Sequence, residues 1–539
     1  MDTRKGHVQV WECQSLKLIK KLLALSLAFS LLFWNITPYT FAETITTDGG
    51  TIDINTQDNV TTWNVTGNPV WNVPTFNLAE GNTLNMTGLT NGASLALLVN
   101  GGSSSNVFGT MNINNLAFIL QNVYGINIGQ TGLVNLSNAS MIASTLPLNL
   151  NSTNFLTRDY KFESQGQTNG YILNEGRILG QSGDLAALVG NAIENRGTIE
   201  VPMGTVALAA GDVVTVGISP DGLVSIGVDR ETAHQIFDND GNLVKDQIKN
   251  TGKISANGGT VILNAKALEN LFEKSINLTN SRVAQGVVEA HNGLIHFVAV
   301  GDVLNEGIVR SVNGRIVIES PNAEVVNDGI LEAPQGLIQI RAGSISLLGP
   351  SKILADQGLI KLIATNDIDN QGTLQAEEGD VMLESQEGAI TNPGTLDVWK
   401  GNLVLKAKGA VETRGVLKAQ TVTERGYTFS MGGVVQVGHA DIENEDGAST
   451  IAEGAQLSGT FTDGGTDGGN IIVQGNFSLL GDTILQADAD GDGIGMIDWA
   501  SIYTLTGNNH ALTLQASDDS SIGAISGVKT LTLARNESA

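Results

Sequence analysis

Hydrophobic and polar positions between Val303 and Ala419 alternate within short segments, and the whole arrangement repeats along the chain. Each repeat has a glycine followed two and four positions later by large apolar residues, as in Ile295 and Phe297. Alternation of this kind is typical of a strand with one buried face. The steps between successive glycines are 21, 22, 22, 21 and 22 residues, and the glycines are Gly293, Gly314, Gly336, Gly358, Gly379 and Gly401.

A second column of the pattern is an aliphatic-x-Asn-x-Gly segment, which begins with Val303–Gly307. Its third position falls at 305, 327, 349, 370, 392 and 413, where Gly349 and Thr413 replace Asn. Self-similarity of this length marks a solenoid. Short strands separated by glycine turns leave no room for helices, so each unit of 21–22 residues is predicted to be one coil of an all-β parallel β-helix, stacked about 4.8 Å from its neighbours.

The recurrent asparagine has two interpretations. At a turn, Asn tolerates left-handed backbone angles and can bond to the Asn of the next coil, which would form an internal ladder. The alternative is a row of exposed ligand-binding groups. The replacements at Gly349 and Thr413 leave the period intact, and this favours the structural ladder.

The ladder is interrupted twice between Asn195 and Asn305. The first gap, Gly211–Lys249, contains the turn sequence Asp238–Gly241, which is typical of a hairpin and is preferred to a metal site. The second gap contains Ala265–Lys274. The spacing of its apolar residues predicts a short amphipathic helix that covers one face of the solenoid.

The first 42 of the 539 residues have the features of an export signal. Basic residues precede the apolar run Leu22–Trp34, and Thr40–Ala42 is a plausible cleavage site. The run is short for a membrane span of about 20 residues, so an uncleaved anchor is the weaker alternative. The only cysteine, Cys13, lies in this segment, and the mature chain is therefore predicted to contain no disulfide.

The formal net charge of −26 argues against binding to nucleic acid or to anionic lipid. Such a surface suits solubility, and it raises the question of divalent cations. Carboxylates at alternate positions in Asp488, Asp490 and Asp492, followed by Asp498, resemble the start of a calcium loop. The twelfth position of an EF-hand is occupied by Trp499, so an acidic turn is the preferred interpretation. No other cofactor is predicted.

Catalysis has to be considered because β-helices also carry polysaccharide lyases and hydrolases. Such sites need two or three carboxylates, or carboxylates with calcium and a basic residue, on adjacent outward positions. The outward column contains no such cluster and reads His296, Val317, Gln339, Lys361, Met382 and Val404. The chain is therefore predicted not to be an enzyme, with a secreted polysaccharide-active lyase or hydrolase as the alternative.

The less regular first half carries a family resemblance. Its segments resemble, in order, the secretion domain of filamentous-haemagglutinin-type exoproteins, which belong to two-partner secretion systems. The matching segments are 105–111, 116–129, 132–135, 142–146, 154–156, 160–162, 206–215, 221–228 and 259–267. The resemblance implies a right-handed parallel β-helix with an N-terminal cap and an extra-helical hairpin within Gly211–Lys249.

The resemblance also implies a function for each part of the chain. Residues 43–300 would be the two-partner-secretion module, 301–420 regular coils, and 421–539 an irregular continuation of the solenoid. The implied partner is an outer-membrane transporter with periplasmic recognition domains. The implied protein is an adhesin, secreted or held at the surface of a Gram-negative-type bacterium, where host or neighbour-cell glycans or proteins are possible ligands.

Five residues are candidates for transporter recognition or for the turns that present it: Asn122, Gly125, Gly129, Ser144 and Thr145. Asn122–Gly125 stands where the family has an Asn-Pro-Asn-Gly turn. It keeps the outer Asn and Gly but lacks the Pro and the second Asn. Asn and Gly still suit a tight turn, so the fold is expected to persist.

Overall fold

The computed structural model describes residues 41–47, 49–149, 158–165, 170–219, 223–238, 240–279, 286–444, 448–463, 470–487 and 495–535. Within these ranges the chain forms 53 strands. A single sheet contains 50 of them, and the remaining three form a separate small sheet. The predicted all-β parallel β-helix is confirmed, with about 20 turns. No helix in the described ranges is long and apolar enough to cross a lipid bilayer.

The strands of the N-terminal part are β1 (Phe41–Thr47), β2 (Gly50–Gln57), β3 (Val60–Gly67), β4 (Val70–Val73), β5 (Asn77–Leu78), β6 (Thr83–Gly88), β7 (Ser94–Val99), β8 (Ser105–Val107), β9 (Thr110–Asn114), β10 (Ala117–Asn122), β11 (Ile126–Ile128), β12 (Leu133–Ser137), β13 (Ser140–Ser144), β14 (Asp159–Glu163), β15 (Tyr171–Asn174), β16 (Arg177–Leu179), β17 (Leu185–Gly190), β18 (Ala192–Asn195), β19 (Thr198–Glu200), β20 (Thr205–Ala210), β21 (Val213–Ile218) and β22 (Val224–Arg230).

The strands of the central part are β23 (Asp246–Asn250), β24 (Lys253–Ser255), β25 (Thr260–Ala265), β26 (Lys274–Leu278), β27 (Val287–Glu289), β28 (Leu294–Ala299), β29 (Val303–Asn305), β30 (Ile308–Arg310), β31 (Arg315–Asn327), β32 (Ile330–Glu332), β33 (Leu337–Leu347), β34 (Lys352–Leu354), β35 (Leu359–Ala364), β36 (Ile368–Asn370), β37 (Thr373–Gln375), β38 (Asp380–Ser385), β39 (Ile390–Asn392), β40 (Thr395–Ala407), β41 (Val411–Thr413) and β42 (Val416–Gly426).

The strands of the C-terminal part are β43 (Phe429–Met431), β44 (Val434–Asn444), β45 (Ala448–Ile451), β46 (Gln456–Asp463), β47 (Asn470–Val473), β48 (Phe477–Ala487), β49 (Ile497–Trp499), β50 (Thr504–Thr506), β51 (Ala511–Ala516), β52 (Ala524–Ser526) and β53 (Thr530–Arg535).

Each coil passes through three parallel faces in the same order. Face 1 begins with β3, β6, β9 and β12. Face 2 begins with β4, β7, β10 and β13, and face 3 begins with β5, β8, β11 and β15. Because every coil hydrogen-bonds only to the coil before and the coil after it, stability is approximately a sum over neighbours.

The N-terminal end is closed by a cap. Strand β1 pairs antiparallel with β2, and β2 pairs antiparallel with β3. Strand β3 then pairs parallel with β6 and so starts face 1. Ile52 of β2 is buried against the first coil. The predicted cap is therefore present, and it covers backbone groups that an open first coil would leave exposed. The predicted export signal lies outside the described residues, except for Phe41 and Ala42 in β1.

The apolar columns expected from the sequence fill one continuous core. The inward residues of face 2 in the regular coils are all at most 1% exposed: Ile295, Phe297, Ile316, Ile318, Ile338, Ile340, Ile360, Leu362, Val381, Leu383, Leu403 and Leu405. Burial of one such side chain contributes about 1.5–3 kcal/mol. The periodic pattern therefore identified both the buried face and its register.

The asparagine column forms the predicted internal ladder on face 3. Asn305 donates to Asn327 at 2.7 Å, and Asn370 donates to Asn392 at 2.6 Å. Earlier coils continue it, with Asn195 donating to the Asn250 amide oxygen at 2.7 Å. These side chains are buried, and the exposed ligand-binding row that was the alternative interpretation is wrong.

The assignment of Gly349 to this ladder is wrong. Asn327 pairs with Leu347, and Leu347 pairs with Asn370. The corner that follows Leu347 holds two more residues than the corner after Asn327, and a shorter corner around Gly343 compensates for them. The coil length stays constant, so the sequence spacing gave no sign of the shift. An aliphatic side chain takes the ladder position because it points into the apolar core.

The predicted helix at Ala265–Lys274 is also wrong. Ala265 ends β25, and Lys274 begins β26. Between them the backbone of Lys266 and Leu268 bonds to Thr232. A segment of this length is marginal as an isolated helix. The gap instead contains an additional coil, in which Leu278 occupies the ladder position between Asn250 and Asn305.

Candidate functional site

A small antiparallel sheet lies outside the solenoid and confirms the predicted hairpin. We call it the accessory sheet, and it consists of β14, β21 and β22. Its apolar side chains form a second core against the outward side of face 2. This core includes Tyr160, Phe162, Val214, Val216 and Val228 of the accessory sheet and Ala96, Ile119, Ile142, Ala187 and Ala207 of the coils.

The sequence of face 2 explains why this sheet packs there. Strands β7, β10 and β17 are buried at every position, and near-continuous apolar runs are typical of strands covered on both sides. Alanines on the outward side allow the accessory sheet to approach closely. Within this second core, burial raises the pKa of Tyr160 to about 12, against the opposing effect of the Arg158 charge.

The turn at Asn122 forms without a proline. Asn122 is fully buried, and its amide nitrogen donates to Ser103 O and to Ser105 Oγ, each at 2.9 Å. Its amide oxygen accepts the Tyr124 backbone N–H at 3.0 Å. Gly125 has φ of 120°, a region that favours glycine. Asn122 and Gly125 are thus brought together to form and anchor one corner.

Gly129 and Phe108 form a tight contact at the next corner. A Cβ added to Gly129 would lie 2.1 Å from Phe108 Cε1. The Cδ1 and Cε1 atoms of the Phe108 ring therefore pack directly against this glycine, while 39% of the residue stays exposed. Glycine is required here by close approach, because the Gly129 backbone itself is not left-handed.

Ser144 and Thr145 are buried and bond within the fold. Ser144 Oγ accepts the Leu146 backbone N–H at 3.0 Å, and Thr145 Oγ1 donates to Gly170 O at 3.0 Å. Gln121 pairs with Ser144, so Asn122 and Thr145 lie at successive coils of the same corner. The side chains of Asn122, Ser144 and Thr145 have no exposed surface. Their role in transporter recognition stays a prediction, and in the folded state it would have to be indirect.

The exposed groups near these turns lie on face 3. Tyr124 precedes β11 and is 46% exposed, and Phe108 follows β8. Between them runs a row of amides on successive coils, in which Asn106 donates to Asn77 at 3.2 Å and Asn127 donates to Asn106 at 3.3 Å. We call Tyr124, Phe108 and the three asparagines the N-terminal outer face.

The first coils also carry no ionisable side chain over a long stretch. Residues 81–157 contain no Asp, Glu, Lys, Arg or His, although 16% of the chain is charged. Outward rows of face 1 consist of amides instead, with Asn112 bonded to Asn85 and Asn135 bonded to Asn112, each at 2.8 Å. The charge-free stretch can be seen in the sequence alone.

A cluster of charged side chains around the buried Glu194 lies farther along face 3. Glu194 is 8% exposed and binds the Arg196 guanidinium at 2.8 and 3.0 Å, and it also accepts from the Tyr171 hydroxyl. Burial opposes ionisation of Glu194, but these two donors hold its pKa below the ordinary value. Nearby, burial raises the pKa of Asp246, whose carboxylate accepts from Asn277 at 2.8 Å. The cluster fixes adjacent coils to each other.

The predicted calcium ligands can be located only in part. Asp488, Asp490 and Asp492 lie outside the described residues. Asp498 lies exposed in β49 and accepts the Ser521 hydroxyl at 2.8 Å. Across the described ranges, no three His, Cys, Asp or Glu side chains are grouped in a way that could hold a metal ion.

The outward column considered for catalysis has the predicted register. His296 pairs with Val317, which continues to Gln339 and Lys361. Among the described residues, the ionisable side chain that contacts His296 is Glu319, at 3.1 Å. One histidine and one carboxylate do not form the paired carboxylates of a glycosidase. The absence of enzyme activity stays a prediction.

The chain was compared with known protein families, curated proteins and solved structures. No protein-family model matches the sequence, and a search of curated proteins finds no match. Among solved structures, the chain is similar to the HMW1 secretion domain from Haemophilus influenzae, with 16% identity and a TM-score of 0.34. The match covers 92% of this chain and 99% of that chain. A TM-score of this size carries no inference about function.

Proposed function

We propose that residues 43–300 are the secretion and folding-nucleation module of a secreted or surface-exposed adhesin-type protein, exported through an outer-membrane two-partner transporter. The observation that carries the proposal is the construction of the first coils. They are capped at the N-terminal end and covered on face 2 by the accessory sheet, and they expose aromatic and amide groups on the N-terminal outer face. The family resemblance of the sequence covers the same region.

The cap gives folding a starting point. In a solenoid each coil needs a folded neighbour, so the first coil is the costly one. The β1–β2 hairpin supplies a neighbour from local antiparallel pairing, which requires little loop closure. Later coils then add to a preformed edge as they emerge outside the cell. This order suits a transporter that passes an unfolded chain.

The N-terminal outer face supplies the recognition surface. Tyr124 and Phe108 are exposed aromatic residues, the class of side chain that is enriched at protein interfaces. The amide row beside them is neutral and offers hydrogen bonds without the desolvation cost of charges. Periplasmic recognition domains are the expected partner of this surface. Adhesion to host or neighbour-cell glycans or proteins would belong to the whole exported chain.

The experiment is to measure export of a Tyr124→Ala/Phe108→Ala variant from cells that contain the cognate transporter. We expect the fraction of protein in the medium to fall at least five-fold, while binding to the isolated periplasmic domains weakens in parallel. Trp399→Ala is the matched control, because Trp399 is 55% exposed and lies in the regular coils. Equal export of both variants, with equal thermal stability, would contradict the proposed surface.

A further inference from the structure

A groove of about 510 Å³ lies where the accessory sheet meets the solenoid. One wall is the end of the accessory sheet, at Arg158, Ile218 and Val224. The other wall is a stack of corners between faces 1 and 2, contributed by residues 88–92, 115–117, 138–140 and 182–185. Sites for small molecules usually have volumes of about 300–1000 Å³. The groove is therefore large enough for a ligand of a few rings.

Arg158 is the charged group that this groove offers to a ligand. Within the described residues, no ion pair or side-chain hydrogen bond engages its guanidinium. The guanidinium lies across the groove, because a Cβ added to Gly92 would be 3.7 Å from Arg158 Nη2. The backbone of Arg158 has φ of 52°. A non-glycine residue held in that region costs about 1–3 kcal/mol, and such strain concentrates at functional positions.

Two amides on the facing wall complete the polar lining. Asn115 and Asn138 both have left-handed backbones and lie on successive coils. Asn138 Nδ2 donates to Asn115 Oδ1 at 2.9 Å. That bond leaves Asn115 Nδ2 as a donor and Asn138 Oδ1 as an acceptor, with no partner among the described residues. A donor and an acceptor on neighbouring coils suit the hydroxyl groups of a sugar.

The electrostatic setting favours an anion in spite of the chain's negative charge. Three of the four corners that line the groove, at residues 88–92, 115–117 and 138–140, lie in the charge-free stretch 81–157. Asp184 also lines the groove, but it is 2% exposed. Its two oxygens accept the backbone N–H groups of Ala139 at 2.8 Å and Gln181 at 2.6 Å. Charges farther away than about 8 Å are largely screened at physiological salt, and Arg158 is the cation that lines the groove among the described residues.

The geometry points to a binding site for a carboxylate-bearing saccharide in this groove. The Arg158 guanidinium would bind the sugar carboxylate, since its planar fork matches a carboxylate in two parallel hydrogen bonds. Asn115 and Asn138 would bind hydroxyl groups of the same or the adjoining ring. This site is separate from the N-terminal outer face, and it would give the secretion module a ligand of its own.

The test uses the full mature chain and two probes that share one sugar skeleton and differ in charge. One probe is a trisaccharide of galacturonate, and the other is the same trisaccharide with every carboxylate methyl-esterified. We expect the acidic probe to bind at least ten-fold more tightly than the ester in calorimetry. We also expect Arg158→Gln to remove that difference and Arg158→Lys to retain part of it, because lysine keeps the charge but loses the fork. Arg315→Gln, at an exposed position in β31, is the matched control.

A second variant guards against misfolding of the first. Asn115→Asp keeps a side chain that tolerates the left-handed backbone and places a negative charge in the groove. It should weaken binding of the acidic probe at least five-fold more than binding of the ester, because both probes lose the Asn115 amide donor and only the acidic probe is repelled by the new charge. Binding of both probes with equal affinity, or binding that survives Arg158→Gln, would overturn the carboxylate site. Failure of both probes to bind at millimolar concentration would overturn the saccharide assignment.

Discussion

The internal amide ladder makes one unusual prediction, which is that a polar substitution in the core should be tolerated better than a small apolar one. Leu347 is 1% exposed and interrupts the ladder between Asn327 and Asn370. Asn370 Oδ1 is buried without a hydrogen-bond partner among the described residues, and Asn327 Nδ2 donates to Gly329 O at 3.3 Å. We therefore consider the substitutions Leu347→Asn and Leu347→Ala.

The magnitudes follow from the contacts. Leu347→Ala leaves a cavity in a close-packed core and should cost about 2–5 kcal/mol. Leu347→Asn loses about 1.5–3 kcal/mol of apolar burial. The new amide would accept from Asn327 and donate to Asn370, and each such bond contributes about 0.5–1.5 kcal/mol. Satisfying the buried oxygen of Asn370 recovers about a further 1–3 kcal/mol. Set against the lost burial, these gains leave Leu347→Asn between about 1 kcal/mol less stable and about 4 kcal/mol more stable than the parent chain.

The assay is urea unfolding of both variants, combined with hydrogen exchange of the amides in β31, β33 and β36. Local exchange is needed because long stacked arrays do not always unfold in one step. The expected order of stability places Leu347→Asn above Leu347→Ala, with increased protection of the Asn370 coil in the former. If Leu347→Asn is the less stable variant, the ladder position is simply apolar and the hydrogen-bond account is refuted.

Two further substitutions test other parts of the fold. Gly129→Ala should lower the unfolding free energy by about 1–3 kcal/mol because of the clash with Phe108. Introducing Phe108→Ala together with it should restore most of that loss. Urea unfolding that shows no loss of stability in the Gly129→Ala variant would contradict this prediction. Because burial raises the pKa of Asp246, its ionisation destabilises the fold as pH rises from the ordinary carboxyl pKa of about 3.9 toward its folded value. Asp246→Asn keeps an oxygen that accepts from Asn277. It should therefore raise the unfolding free energy at pH 7 and have little effect at pH 3. Equal changes in the unfolding free energy at both pH values would contradict the raised pKa of Asp246.

The regular coils could be predicted from the sequence because their pattern has a single physical cause. Inward positions such as Ile295 and Phe297 must be apolar, and every coil has the same cross-section. The asparagine column could also be predicted, because each amide forms a hydrogen bond with the asparagine of the next coil. The same regularity produced the error at Gly349, since two corner lengths changed in opposite directions and left the period intact. Leu278 hid a whole coil for a related reason, because an aliphatic residue replaced the expected asparagine.

The candidate sites could be predicted less well because they depend on contacts between distant segments. The turn residues Asn122 and Gly125 were identified by resemblance, but their burial is a property of the stacked coils. The groove at Arg158 forms because β21 and β22 pair with β14 and the resulting accessory sheet packs back onto the first coils. No spacing in the sequence encodes that approach. The feature of the sequence that points to this region is the absence of ionisable residues from 81–157.

The central claim, that residues 43–300 carry the export function and start the folding, is tested most directly by measuring export of two halves of the chain. Residues 1–300 and a fusion of residues 1–42 to residues 301–539 would be produced with the cognate outer-membrane transporter. The account predicts that residues 1–300 accumulate in the medium in a folded, protease-resistant form. It also predicts that the fusion stays in the periplasm. Export of the fusion at the level of residues 1–300 would contradict the claim.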